Sequence, residues 1–273
     1  NVANPFNGNI DFVQVPLSGN PNLSEERALT KTAGIVLTTG RFKASLDWYD
    51  INLKDAIGAI GAQDIADRCF KGEQDLCSLI RFGANETILS VKNQNLNLGS
   101  FRVQGLDFDA RYALPLGSGN LSLGLVASYL IDKKIAPTGG APIDVAGEVG
   151  PTSTGFGAPD FKATFSANYD VGRWGFFGQL RYIGSGVYDA TFGPEQLSAK
   201  DNHIGAVAYV DLSVKYDLDE LIGSEAQIYA GMDNVFDRDP PVAPLNFISN
   251  TATNAAHYDV VGRKFYVGVR AKF

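Results

Sequence analysis

The chain has 273 residues, 19% of them charged, with 30 glycines and a formal net charge of -7; its pI is near 4.9 and its mean hydropathy -0.05. That length supports one large core or sheet without requiring a second domain, and the acidic balance argues against a nucleic-acid partner. No apolar run approaches the roughly 18 residues of a membrane-spanning helix, which leaves membrane strands open because their alternation averages to neutral hydropathy.

Residues 1–26 read as a loop, with the turn dipeptides Asn4-Pro5, Asn7-Gly8, Ser18-Gly19 and Asn20-Pro21 and a short apolar patch ended by Pro16. Alternation then begins. From Arg27 to Thr38, Leu29, Ala33, Ile35 and Leu37 share a face against Thr30, Thr32 and Thr38. After a turn at Thr39-Gly40, Phe42, Ala44, Leu46 and Trp48 oppose Lys43, Ser45, Asp47 and Tyr49. A period of two is the signature of strands, and the short connection makes this a hairpin.

An irregular segment follows, about Ala56 to Glu86, and it holds both cysteines. The eight-residue separation of Cys69 and Cys77 suits a local disulfide in an oxidising compartment. Two free thiols are the alternative; zinc is disfavoured because the only two histidines lie elsewhere. A long strand is expected from about Thr87 to Tyr112, clearest at Leu106, Phe108, Ala110 and Tyr112. Beyond a turn at Pro115–Asn120, Leu121, Leu123, Leu125, Ala127, Tyr129 and Ile131 alternate with Ser122, Gly124, Ser128 and Asp132.

A Gly- and Pro-rich loop, about Lys133 to Gly157, leads to Phe161, Ala163, Phe165, Ala167 and Tyr169 on one face. Val171-Gly172-Arg173 turns the chain into a strand lined by Trp174, Phe176, Leu180 and Tyr182. The loop Gly184–Gly205 separates it from Ala208, Val210, Leu212, Val214 and Tyr216. Asp219–Ser224 connects to Ala226, Ile228, Ala230 and Met232, and the loop Asp233–His257 precedes the last strand. There Phe265, Val267, Val269, Ala271 and Phe273 oppose Tyr266, Gly268, Arg270 and Lys272.

That ending fits either a strand of a soluble all-β domain or the closing strand of a transmembrane β-barrel. Loop order favours the barrel. Short connections near Gly40, Gly117, Gly172 and Gly223 alternate with long ones, so a meander would carry tight turns on one edge and long loops on the other, as outer-membrane barrels do. A sandwich has no reason to sort its loops so. Trp48, Tyr112, Tyr129, Tyr169, Trp174, Tyr182, Tyr216 and Phe273 fall at or near strand ends on the apolar face, where aromatic girdles belong.

Asn20-Pro21-Asn22-Leu23-Ser24-Glu25-Glu26, Gly105-Leu106-Asp107-Phe108-Asp109-Ala110, Asp233-Asn234-Val235-Phe236-Asp237 and Gly262-Arg263-Lys264-Phe265-Tyr266-Val267-Gly268-Val269, followed by terminal Phe273, resemble in order and spacing the motifs of TonB-dependent outer-membrane receptors. The resemblance implies an all-β, transmembrane, antiparallel up-and-down barrel of the large plugged type, with roughly 22 strands. About nine strands are countable here, an odd number, and the chain starts at Asn1 without Met or a signal sequence. The expectation is therefore that residues 1–273 form the C-terminal portion of such a receptor, without its plug and N-terminal strands.

The family implies a multi-pass protein of the bacterial outer membrane that performs no covalent chemistry and needs no cofactor. Its implied partners are the TonB complex through an N-terminal segment, outer-membrane lipid and lipopolysaccharide, the barrel-assembly machinery, and a small-molecule nutrient such as an iron chelate, cobalamin or an oligosaccharide. A passive porin is the alternative. An outer-membrane enzyme is disfavoured because His203 and His257 both lie in loops and complete no Ser/His/Asp arrangement. Asp107, Asp109, Arg111, Lys162, Asp170, Arg181, Asp211, Lys215, Asp217, Arg270 and Lys272 mix both signs on the polar face, which fits plug and water contacts. Tyr188, Asp189 and Phe192 in one loop, and Phe247, Asn250 and His257 in another, offer ring faces and hydrogen-bonding groups for a ligand. A Ca²⁺ site at Asp237 and Asp239 has little to support it.

Overall fold

In the computed structural model, which describes residues 1–58, 60–97, 99–136, 141–150, 157–218, 226–243 and 252–271, one antiparallel sheet dominates. Among the described residues nine long strands pair each with the next in chain order: β1 (Arg27–Thr39), β2 (Phe42–Lys54), β3 (Ser100–Leu116), β4 (Gly119–Ala136), β5 (Phe161–Val171), β6 (Trp174–Ile183), β7 (Val207–Asp217), β8 (Ala226–Asp233) and β9 (Lys264–Ala271). β1 and β9 are the two edges of this meander. Phe273 and Lys272 lie outside the described residues.

Gly40-Arg41, Gly117-Ser118 and Gly172-Arg173 are the tight turns joining β1 to β2, β3 to β4 and β5 to β6. Their glycines have φ of 55°, 60° and 57°, and the residue after each stays at negative φ. Positive φ at the first turn position alone is the II′ pattern, whose twist matches that of the strands it joins. The connections between β2 and β3, β4 and β5, β6 and β7, and β8 and β9 are all long. Among the described connections loop length is thus sorted by edge; the short connection expected near Gly223 lies outside the described residues.

Register keeps the two faces distinct. Leu125 pairs with Phe165, Phe165 with Leu180, Leu180 with Val210, Val214 with Ala230, and Ala230 with Val267. On the opposite face Ser166 pairs with Gln179, Gln179 with Asp211, Lys215 with Tyr229, and Gly231 with Tyr266. The apolar face is bare: Phe265, Val267 and Val269 are 68%, 75% and 69% exposed. A soluble sandwich would bury that row under a second sheet, so the soluble reading of the last strand fails.

Two aromatic rows bound the apolar face. Near the tight turns Tyr169 stacks with Phe176 at 6.4 Å and Trp174 packs edge-on against Tyr216 at 4.7 Å; near the other end Phe161 lies 5.9 Å from Tyr182. Tyr169 and Phe161 are eight residues apart on β5, about 26 Å along the strand and about 20 Å along the membrane normal at a tilt near 40°. That is comparable to the roughly 25 Å apolar band of an outer-membrane barrel.

The chain forms two units: Asn1–Leu29, Asn52–Phe101 and Ile135–Pro142, and Thr30–Ile51, Arg102–Lys134 and Ile143–Phe273. In the first, the expected loop at 1–26 and the expected irregular stretch Ala56–Glu86 are built structures. Val2–Ala3 pairs with Ile10–Asp11, and Leu17–Ser18 runs parallel to Asn93–Gln94. Helix α1 (Ala62–Phe70) buries Ile65, Ala66 and Cys69, with Asp64 in its first turn and Arg68 in its last, both favourable to the helix dipole. A short helix α2 (Gln74–Cys77) follows, and Cys69 and Cys77 are disulfide-linked with Cα atoms 4.9 Å apart. Val2, Leu76, Leu79, Ile80, Ile88 and Val91 complete this core. Asp11 holds it from within, its Oδ2 accepting from Asn4 Nδ2 and from the Ile88 amide, both at 2.7 Å. The single strand expected from Thr87 to Tyr112 is broken into four segments, Ile88–Val91, Asn93–Gln94, Leu96–Asn97 and β3. Ile88–Val91 pairs antiparallel with Ile80–Phe82, and β3 starts only at Ser100, after Gly99 with φ 99°.

Candidate functional site

The charged residues of the inner, polar face converge where β6 to β9 meet the loops at their ends. Arg181 and Tyr209 are register partners, and so are Gln179 and Asp211. Arg181 therefore reaches Asp211 diagonally, donating from Nε at 2.8 Å and from Nη2 at 3.2 Å. Its guanidinium lies 5.3 Å over the Tyr209 ring, a cation–π contact, and 3.9 Å from Asp259. Lys264 pairs in register with Asp233, and their side chains meet at 2.8 Å.

The stretch Asp233-Asn234-Val235-Phe236-Asp237 locks the start of the last loop. Asn234 is fully buried at φ 49°, a left-handed conformation that asparagine tolerates. Its amide donates to Asp211 Oδ1 at 2.9 Å, its Nδ2 donates to the Arg238 carbonyl and its Oδ1 accepts from the Arg238 amide. Asp237, at φ 52°, accepts from the Arg263 amide at 2.9 Å and from its guanidinium at 3.1 Å. Those bonds hold its carboxyl below the usual range. The two ends of the loop are thereby clamped together.

Within that neck, residues 255–262 lie over a cleft of about 560 Å³ lined by Arg181, Asp211, Asp233, His257, Tyr258 and Lys264 among others. A second core supports it: Val149, Ile183, Ile204, Val207, Tyr209, Ala243 and Tyr258 are buried together, with Tyr188 against them. Asn254 ties the loop down by donating to the carbonyls of Val149 and Gly150. Burial, with Tyr209 adding to it, pushes the Tyr258 hydroxyl up to about 12. Burial and the charges of Lys162 and Lys133 hold the His257 imidazole below its ordinary value.

The His257 shift gives a pH dependence with a definite sign. A histidine whose folded pKa is depressed binds fewer protons folded than unfolded, so its contribution is intact above the unfolded value of about 6.5 and is lost as pH falls below it. Amides of residues 254–262 are expected to lose hydrogen-exchange protection between pH 7.5 and 5.5 after correction for intrinsic rates, and His257→Gln should flatten that dependence. An unchanged profile in the variant would exclude His257 as the cause.

Three carboxylates and two cations line the cleft and are already hydrogen-bonded or ion-paired, while the Tyr258 hydroxyl is buried there without a hydrogen-bond partner. No nucleophile stands beside a base there. Such an array is suited to binding and orienting polar groups.

The model of the family described as TonB dependent receptor-like, β-barrel, matches residues 3–235. The chain belongs to that family. Members of the TonB-dependent receptor family are transporters rather than enzymes, and membership gives the chain an outer-membrane location. None of the curated proteins compared matches it. Among solved structures, a ferric enterobactin receptor mutant from Pseudomonas aeruginosa is similar with a TM-score of 0.60 and 18% identity, over 94% of this chain and 33% of that one. The siderophore receptor PirA from Acinetobacter baumannii gives 0.54 and 17%, over 94% and 33%. The FrpB iron transporter from Neisseria meningitidis gives 0.55 and 17%, over 95% and 32%. These likenesses concern the fold, and the chain spans about a third of the length of the structures it matches.

In this TonB-dependent receptor chain the residues singled out for ligand contact lie in different settings. His257 lines the cleft. Tyr188 packs on the second core with its ring 6.4 Å from Phe192, which is exposed. Asp189 is buried, and its carboxylate accepts from the Thr191 amide at 2.8 Å while Asn202 bridges its backbone. Phe247 and Asn250 lie outside the described residues. Tyr258, Asp259 and Tyr209 were not singled out in the sequence. The signal for them was weak, because each matters through a partner on another strand or loop.

Proposed function

We propose that residues 1–273 form the C-terminal wall and outer loops of a multi-pass receptor that takes up a scarce nutrient across the outer membrane with energy delivered by TonB. In this reading the plug and the segment that engages TonB belong to other parts of the protein, and folding into the membrane requires the barrel-assembly machinery. Phe265, Val267, Val269 and Ala271 belong to the strand that closes the barrel against the first strand of the full protein. The observation that carries the reading is the partition of one sheet into a bare apolar face between two aromatic rows and an inner face of paired charges leading to a loop-covered cleft. An inner wall of paired charges is suited to holding a polar plug and water. Tyr188, Phe192 and His257 belong to the outer loops where cargo first arrives. Asp189, already bonded within its own loop, sets that loop's shape. Of the cargo classes, ferric chelates are favoured, because the solved neighbours are described as siderophore receptors and iron transporters.

The test is growth on a limiting nutrient in a strain carrying the full-length gene, with and without TonB. Uptake that requires both supports the proposal. Uptake that proceeds without TonB assigns the protein instead to passive channels.

A further inference from the structure

We infer that the Tyr258 hydroxyl donates a hydrogen bond to an uncharged acceptor oxygen of the cargo, and that the cleft under residues 255–262 thereby takes a neutral, oxygen-rich chelate, of the ferric hydroxamate kind, in preference to an anionic one. This rests on the uptake reading and deepens it by naming the class of cargo and the residue that selects it.

Tyr209 and Tyr258 share the buried core beneath the last loop, and their hydroxyls differ. The Tyr209 hydroxyl accepts from the Asp259 amide at 3.3 Å. The hydroxyl of Tyr258, a residue only 4% exposed, has no hydrogen-bond partner among the described residues. In a core shared with Val149, Ile183, Ile204 and Ala243, phenylalanine would serve the packing without the cost of a buried, unpaired donor. The ring is also fixed in place. The Tyr258 amide donates to the Asn254 carbonyl at 3.0 Å, and the Asn254 side chain is anchored on the carbonyls of Val149 and Gly150. A donor so held lines a cleft of about 560 Å³, a volume within the range of small-molecule sites. Burial pushes the hydroxyl up to about 12, so it keeps its proton and stays a donor at neutral pH.

Charge decides which acceptor it meets. The ions lining the cleft are committed to one another, Arg181 to Asp211 and Asp259, and Lys264 to Asp233. Carboxylates outnumber cations among them, so an anionic group drawn in beside them would be a buried charge without a counter-ion. His257 adds no charge at neutral pH, because its imidazole is held below its ordinary value. Lys162 and Lys133 act on that imidazole from outside the lining, with Glu148 as a counter-charge to Lys133. A neutral carbonyl oxygen brings only lone pairs, and the phenol satisfies one of them.

The test compares two probes, an uncharged ferric trihydroxamate and an anionic ferric triscatecholate, each titrated into the full-length protein in detergent with tryptophan fluorescence as the readout. The wild type should bind the trihydroxamate more tightly. Tyr258→Phe should bind it about fivefold less tightly, the typical net value of one hydrogen bond, and should unfold in urea no earlier than the wild type, since the hydroxyl it removes bonds to nothing in the described protein. Tyr112→Phe, on the apolar face near a tight turn, is the control and should match the wild type in both respects. Equal affinity of Tyr258→Phe and the wild type for the trihydroxamate, tighter binding of the triscatecholate, or binding of neither probe overturns the assignment. So does a Tyr258→Phe that loses stability together with affinity, because the hydroxyl would then be serving the fold. None of these results touches the transport reading, which falls only if uptake proceeds without TonB.

Discussion

Leu180→Arg is expected to destabilise the full-length protein in lipid by about 2–4 kcal/mol, the range for a cation placed on the lipid face at mid-membrane, whereas Gln179→Arg one residue away should change stability by less than ~1 kcal/mol. Leu180 pairs with Phe165 and Val210, and Phe165 is midway between Tyr169 and Phe161 on β5. The leucine therefore stands as far from either boundary as this face allows. Gln179 pairs with Ser166 and Asp211 on the polar face, where a new cation finds water and a carboxylate. Urea unfolding of the protein refolded into vesicles measures both, with Trp48 and Trp174 as reporters on the apolar face. Equal losses would mean that the apolar side is packed against protein and not lipid.

That contrast exists because strand phase is written locally. Every side chain from Phe161 to Tyr182 takes its face from its own parity, so both faces of β5 and β6 and the turn at Gly172 were legible from residue types alone. The same holds for the last strand, where Phe265, Val267 and Val269 are exposed as lipid contact requires. α1 was missed although Ile65, Ala66 and Cys69 have helical spacing, because the polar residues around them resemble a loop when no partner surface is known. Thr87 to Tyr112 was merged into one strand because Ile88–Val91 alternates as well as β3 does; only its pairing with Ile80–Phe82 separates them. The cleft is the harder case. Arg181 and Asp211 could be assigned to the polar wall singly, but their meeting depends on a register between strands some thirty residues apart, and the approach of Asp259 depends on the course of a loop. Parity predicts a face and says nothing about who stands opposite.

Asp211→Ala is the variant expected to damage this part of the molecule most, at about 3 kcal/mol, the low end of the range for removing one partner of a buried ion pair, because Arg181 keeps some access to water. Two groups lose their acceptor at once. The Arg181 guanidinium is left with only the more distant Asp259, and the amide of fully buried Asn234 is left unsatisfied. Asp211→Asn, which keeps an oxygen for Asn234 and removes the charge, should recover about 1 kcal/mol of the loss, the typical net value of one hydrogen bond. Arg181→Ala in the Asp211→Ala background should cost less than in the wild type, since the charge it removes has already lost its nearest partner. Because Asn234 starts the clamped loop, amides of residues 254–262 should also exchange faster in Asp211→Ala. Strictly additive losses, or exchange in that loop unchanged from the wild type, would mean that the Arg181–Asp211 pair does not hold the loop over the cleft.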